Sequence, residues 1–197
     1  MSEVLPDVEL PDTSLPHTGL TRRIDAWVTT LGKWLSWIWL ALLAIIVINV
    51  VLRYAFSEGR IELEEIQWHM YSIGFLLGLS YAYQADTHIR VDVLYERFSP
   101  ELKAWVELYG ILIFLIPFIA LILFYGIPFV VSSYELSEIS PSPGGLPLRW
   151  LIKGCLPLGF AMLLLAVTSR LIRVWHFLFI TDDQATTTTN GKPDAGE

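Results

Sequence analysis

Four long apolar runs alternate with short polar stretches along this chain. The first is WLSWIWLALLAIIVINVVLRYAF, Trp34 to Phe56. The second runs from about Glu65 to Ala85, the third from Trp105 to about Ser133, and the fourth from about Trp150 to Trp175. A helix crossing the hydrocarbon core of a bilayer needs roughly 20 mostly apolar residues, and each run meets that length. The pattern predicts an all-α integral membrane protein with four transmembrane helices and both termini on the same side. The third run is longer than a crossing requires, so it must tilt, kink or stand out of the bilayer. Pro117 and Pro128 lie inside it and each removes a backbone donor. Its start is well marked: Ser99 suits an N-cap, Pro100 the first helical position, and Glu101 the positive end of the helix dipole. The segment LTRRIDAWVTTL, Leu20 to Leu31, has two open readings. It is either a short amphipathic helix on the membrane surface or a helical extension of the first span.

Composition agrees with this class. Hydrophobic residues make up 54% of the chain and charged residues 17%, against roughly 25% charged in soluble domains. The formal charge of -7 comes mostly from the two ends, residues 1–19 and 177–197. These read as disordered tails around a membrane domain of residues 20–176. A negative chain with no basic face argues against a nucleic-acid partner. The single cysteine, Cys155, has no intramolecular disulfide partner and reads as a small packed residue. Lysines and arginines favour the side bearing both termini, which places the termini in the cytoplasm. Trp34, Trp37, Trp39, Trp68, Trp105, Trp150 and Trp175 fall near span ends, where amphipathic rings sit at headgroup depth.

Few residues point to chemistry. Arg53 closes the first span and Glu64 and Glu65 open the second; charges at membrane depth usually pair, and solvated headgroup residues are the alternative. Gly74, Gly78 and Ala82 recur every fourth residue, a small-residue face that lets helices approach closely. That spacing does not say whether the partner helix belongs to this chain. The loop QADTHIRVDVLYERFSPELKAW carries His88, Arg90 and Asp92, and on physical grounds it reads as a charged connector. The Pro- and Gly-rich stretch Ser132 to Lys153 reads as a rigid non-helical crossing, with a docking surface as the functional alternative. No phosphate-binding loop, nucleophile constellation or metal-ligand spacing occurs. The sequence therefore predicts no catalytic, substrate-binding or metal residues. His69 and His88 lie at opposite ends of one predicted helix and cannot share a haem iron.

Taken together, NVVLRY, the acidic pair, the Gly-containing helix, THIRVDVL and EISP…LPLRWLIKGCLPLGF resemble a known family. It is the small membrane subunit, DctQ-type or Q subunit, of the TRAP (tripartite ATP-independent periplasmic) transporters. The resemblance spans roughly Ile24 to Arg173. It implies a bacterial inner-membrane system of three parts: a periplasmic substrate-binding protein, a large permease subunit carrying organic acid and sodium, and this chain as a non-catalytic scaffold without a cofactor. Arg53, Glu64, Glu65, Gly74, Gly78, Ala82, His88, Arg90 and Asp92 are then the candidates for subunit contact or structure, with membrane lipid around them. The runner-up is a cytochrome b-like membrane anchor of a respiratory oxidoreductase. A self-sufficient channel or small exporter is a third reading.

Overall fold

A computed structural model of the chain describes residues 19–86 and 98–180. His88, Arg90, Asp92 and most of both predicted tails lie outside the described residues. Six α-helices account for most of the rest: α1 (Gly19–Leu35), α2 (Trp37–Ala55), α3 (Ile61–Gln84), α4 (Pro100–Tyr109), α5 (Ile116–Glu135) and α6 (Arg149–Phe179). A π-helical segment, Gly110–Leu115, joins α4 to α5. No strand occurs among the described residues.

α1 and α2 form nearly one helix, interrupted only at Ser36, whose own backbone angles remain helical. The two together span 37 residues, Gly19–Ala55, or about 55 Å at the usual rise. α1 buries Thr21, Val28 and Gly32 on one stripe and packs against α3 and α6. Of the two readings of Leu20 to Leu31, the structure takes the helical extension, because that stripe has the bundle to bury it.

α3 returns antiparallel along α1 and α2. Glu64 lies beside Arg53, Gly74 beside Ile38 and Trp39, and Tyr81 beside Gly32. α6 runs parallel to α3 in constant register. Leu146, just before α6, bonds to Glu65; Gly159 lies against Leu76; and Arg170 reaches Asp86. The continuous rod α4–π–α5 runs antiparallel to α6, from Glu107 beside Arg170 through Phe118 on Phe160 to Tyr134 on Trp150. α6 thus contacts α1, α3, α4 and α5 and carries most of the apolar core, with Phe160, Leu163 and Val167 around Ile111 and Ile119.

Three helical stretches are long and apolar enough to cross a membrane: Gly19–Ala55, Glu101–Glu135 and Arg149–Phe179. α3 is less apolar, carrying Gln67, His69, Ser72, Ser80 and Gln84. Its 24 residues still reach about 36 Å, and it lies alongside α6 from Glu65 to Asp86. Wherever α6 crosses, α3 crosses with it. The protein is an all-α membrane protein.

The start of α4 follows its sequence signals. Ser99 Oγ accepts a hydrogen bond from the Leu102 N–H at 3.2 Å. Further along, the Ile116 N–H reaches back five residues to the Ile111 carbonyl, one more than α-helical spacing. The wide turn comes immediately before Pro117, which has no N–H to offer the preceding turn.

Candidate functional site

The polar chemistry of the bundle gathers at its two ends, with apolar surface between. At one end are the α2–α3 turn and the α5–α6 loop. The Arg53 guanidinium pairs with Glu64, and both are about half exposed. Glu65, the second acid of the pair, points elsewhere. One carboxylate oxygen accepts the Leu146 backbone N–H at 2.6 Å, and the other accepts the Ser140 hydroxyl. It thereby pins the Pro- and Gly-rich loop onto α3. A second carboxylate, Glu138, fixes the same loop from within: it accepts from the Ser133 hydroxyl at 2.7 Å and pairs with Lys153. The Lys153 ammonium also sits 4.1 Å from the centre of the Phe129 ring, a cation–π placement. Lys153 and the Ser133 hydroxyl hold the Glu138 carboxyl below the usual carboxylate range. Between α3 and the loop lies a cleft of about 230 Å³, lined by Trp68, His69, Ser142 and Arg149 with the two glutamates. His69 Nδ1 is 2.5 Å from the Glu65 carbonyl oxygen, which turns its other nitrogen away from its own helix.

The opposite end holds a buried ionic knot. Arg170, 6% exposed, donates to Glu107 through Nε at 2.5 Å and through Nη2 at 3.1 Å. The same guanidinium lies 3.8 Å from Asp86. Next to it in the chain, the Ser169 hydroxyl donates to Asp25 at 2.6 Å. Four helices or helix ends, α1, α3, α4 and α6, are tied here. By sequence alone, Arg170 and Arg173 count only toward the lysine and arginine bias that sets membrane side. The available signal was charge placement: Asp86 and Glu107 flank span ends near the level of Arg170, the pattern that intramembrane charges adopt when they pair.

The small-residue face divides on inspection. A side chain at Gly74 would meet Ile38 and Trp39 at 3.0–3.1 Å, whereas one at Gly78 would meet nothing within 4 Å. The Gly74 contact is therefore with α2 of this same chain. Ala82 lies one turn further along α3. A close backbone approach involves a glycine that sequence reasoning missed: Gly159 of α6 faces the backbone of Leu76, whose carbonyl oxygen would be 2.7 Å from an added Cβ. Nothing in the sequence pattern distinguishes Gly159 from other glycines in apolar runs.

Between the two ends, large apolar side chains face outward. On α2 these include Leu40, Leu43, Val47 and Tyr54; on α5 and the π segment they include Phe114 and Phe124. A surface of this kind belongs in hydrocarbon or against another membrane protein. A family model for the DctQ component of tripartite ATP-independent periplasmic transporters matches residues 42–177.

The chain belongs to the DctQ component family.

The match takes in most of α2, all of α3 to α5, nearly all of α6, and both polar ends except Asp25. It makes the chain a small membrane component of a TRAP transporter. No curated protein and no solved structure matches it. The comparisons give no support to the oxidoreductase-anchor reading. Among the described residues the geometry offers it none either, since His69 and His176 sit at opposite ends of the bundle.

Proposed function

We propose that this DctQ component is a stationary, non-catalytic scaffold of a sodium-coupled importer of organic acids in the bacterial inner membrane. The observation that carries the reading is the division of its surface. Charged side chains largely satisfy one another at the two ends, and a belt of outward apolar side chains lies between them. Secondary transporters bind substrate at interrupted helices with polar groups converging near the midplane. Among the described residues the interruptions of long helices gather no such cluster: the Ser36 hydroxyl donates to the Gly32 carbonyl of its own helix, and the π segment is made of Gly, Ile, Leu and Phe. Substrate and sodium then belong to a large permease subunit, which packs against the apolar belt. Both termini lie in the cytoplasm. The loop end, with Arg53, Glu64, Glu65 and the cleft at Trp68 and His69, faces the periplasm and the substrate-binding protein.

Purification with and without the large subunit tests this reading. The two membrane subunits co-purify from detergent, and the chain alone gives no heat signal when organic acid and sodium are titrated in. Saturable binding of either to the isolated chain overturns the non-catalytic role, and failure to co-purify overturns the scaffold.

A further inference from the structure

A second cleft, of about 460 Å³, opens where α5 ends and α6 begins. Tyr134, Glu135, Ile139, Leu148 and Trp150 are among the residues that line it, and none of them belongs to the cleft at Trp68 and His69. The Tyr134 and Trp150 rings meet edge to face, with centres 5.4 Å apart. A cation lodged beside such a pair is drawn to the ring faces. Glu135 is the one charged residue among the described residues that line the cleft. The nearby acids are already committed, Glu138 to Lys153 and Glu65 to the loop backbone. Glu135 has no ion pair among the described residues. The cleft thus joins a negative charge to two aromatic rings and supplies no cation of its own.

An apolar track leads away from it. Phe124, Ile127, Val131 and Tyr134 recur on α5 at spacings of three and four, and all are exposed. That spacing keeps them on one helix face. From Tyr134 to Phe124 the helix rises about 15 Å, half of a hydrocarbon core roughly 30 Å thick. The track is therefore one leaflet long, and it ends at the depth where Tyr and Trp rings gather. Above it, Leu148 takes a left-handed backbone conformation, φ 64° and ψ 42°, which is strained for a bulky side chain. Glycine would adopt it freely, yet the position presents an exposed leucine to the cleft.

We propose that the cleft and the α5 track bind one phospholipid with a primary ammonium headgroup, of the phosphatidylethanolamine type. The ammonium donates to the Glu135 carboxylate beside the Tyr134 and Trp150 rings, and an acyl chain lies along Val131, Ile127 and Phe124. An anionic headgroup meets an acid there and no basic side chain, so it is disfavoured. The site does not rest on the scaffold reading, and it leaves the α2 side of the apolar belt to the large subunit.

Native mass spectrometry of the full chain tests the site. The chain is released from mixed micelles holding equal amounts of palmitoyl-oleoyl phosphatidylethanolamine and phosphatidylglycerol. It retains the ethanolamine lipid several-fold over the glycerol lipid. Glu135→Gln abolishes that preference without lowering the thermal midpoint. Tyr134→Leu weakens it, and Tyr134→Phe, which keeps the ring, preserves it. Glu58→Gln, at an exposed acid of the same end, leaves it unchanged. Equal retention of the two lipids by the parent overturns the proposal, and so does a preference that survives Glu135→Gln. A preference lost equally in Glu58→Gln reports only the general charge of that end, and overturns it too. Equal retention together with loss of co-purification in Glu135→Lys assigns the cleft to a basic side chain of the large subunit instead.

Discussion

Gly159 and Gly78 make opposite predictions although both are helical glycines in apolar runs. Replacing glycine by alanine within a helix favours folding by about 1 kcal/mol through backbone entropy. At Gly78 the added methyl enters open space, so Gly78→Ala raises the thermal midpoint in detergent or leaves it unchanged. At Gly159 the methyl would lie 2.7 Å from the Leu76 carbonyl oxygen. α3 and α6 must part, at a cost of about 1–3 kcal/mol, and Gly159→Ala lowers the midpoint. An equal response at both positions would contradict the close approach. Glu138 yields a pH prediction. Its carboxyl is held below the ordinary value by Lys153 first and Ser133 second. The stabilisation it gives the loop is present above the unfolded-state value and is lost as pH falls through the lowered one. Labelling of Ser142→Cys, normalised to Ser57→Cys in a Cys155→Ser background, accelerates on acidification, and Glu138→Gln removes that acceleration. At this scale the sequence was partly legible. Arg53 with Glu64 was readable because both flank one short turn. Glu65 was not, because its partners Ser140 and Leu146 lie far along the chain and meet it only once α3 and α6 pack.

Helix ends were the easiest elements to read. Ser99, Pro100 and Glu101 are local signals, and the cap they predict is present. Ser99→Ala costs about 1 kcal/mol, read as a lower midpoint with faster amide exchange in the first turn of α4. Normal exchange there would show that the cap does not hold the turn. Other element features depend on tertiary partners. Pro117 announces a disturbance in the third run, but whether it appears as a kink or as a widened π turn follows from how the preceding residues pack. Ile111 is buried in the core with Ile119, so both ends of the wide turn are anchored. The Leu20 to Leu31 segment remained ambiguous for a similar reason. Its buried stripe of Thr21, Val28 and Gly32 suits a membrane surface or a protein groove equally, and only the positions of α3 and α6 choose between them.

At the scale of the whole molecule, three membrane helices follow from apolar length, and α3, the least apolar, follows α6 through a register set by Glu65, Leu76 and Asp86. The ionic knot at the far end joins helices distant in sequence, and charge placement read along the chain resembles a topology signal rather than a contact. Arg170→Ala leaves Glu107 and Asp86 buried together without their shared cation. It destabilises the bundle by about 3–5 kcal/mol, and Arg170→Met with Glu107→Gln recovers part of the loss; a loss under 1 kcal/mol in the single variant would show the knot to be solvated. Orientation is checked by impermeant thiol labelling of intact cells in a Cys155→Ser background: Ser57→Cys and Ser142→Cys react from outside, and Ser99→Cys does not. The reverse pattern would place the loop end in the cytoplasm. The proposed scaffold role requires that transport depend on this chain although the chain carries no substrate. The most direct measurement is uptake of radiolabelled organic acid by proteoliposomes holding the large subunit, with sodium and binding protein supplied outside. Uptake is expected with this chain present and none without it; full uptake without it would show that the large subunit needs no scaffold.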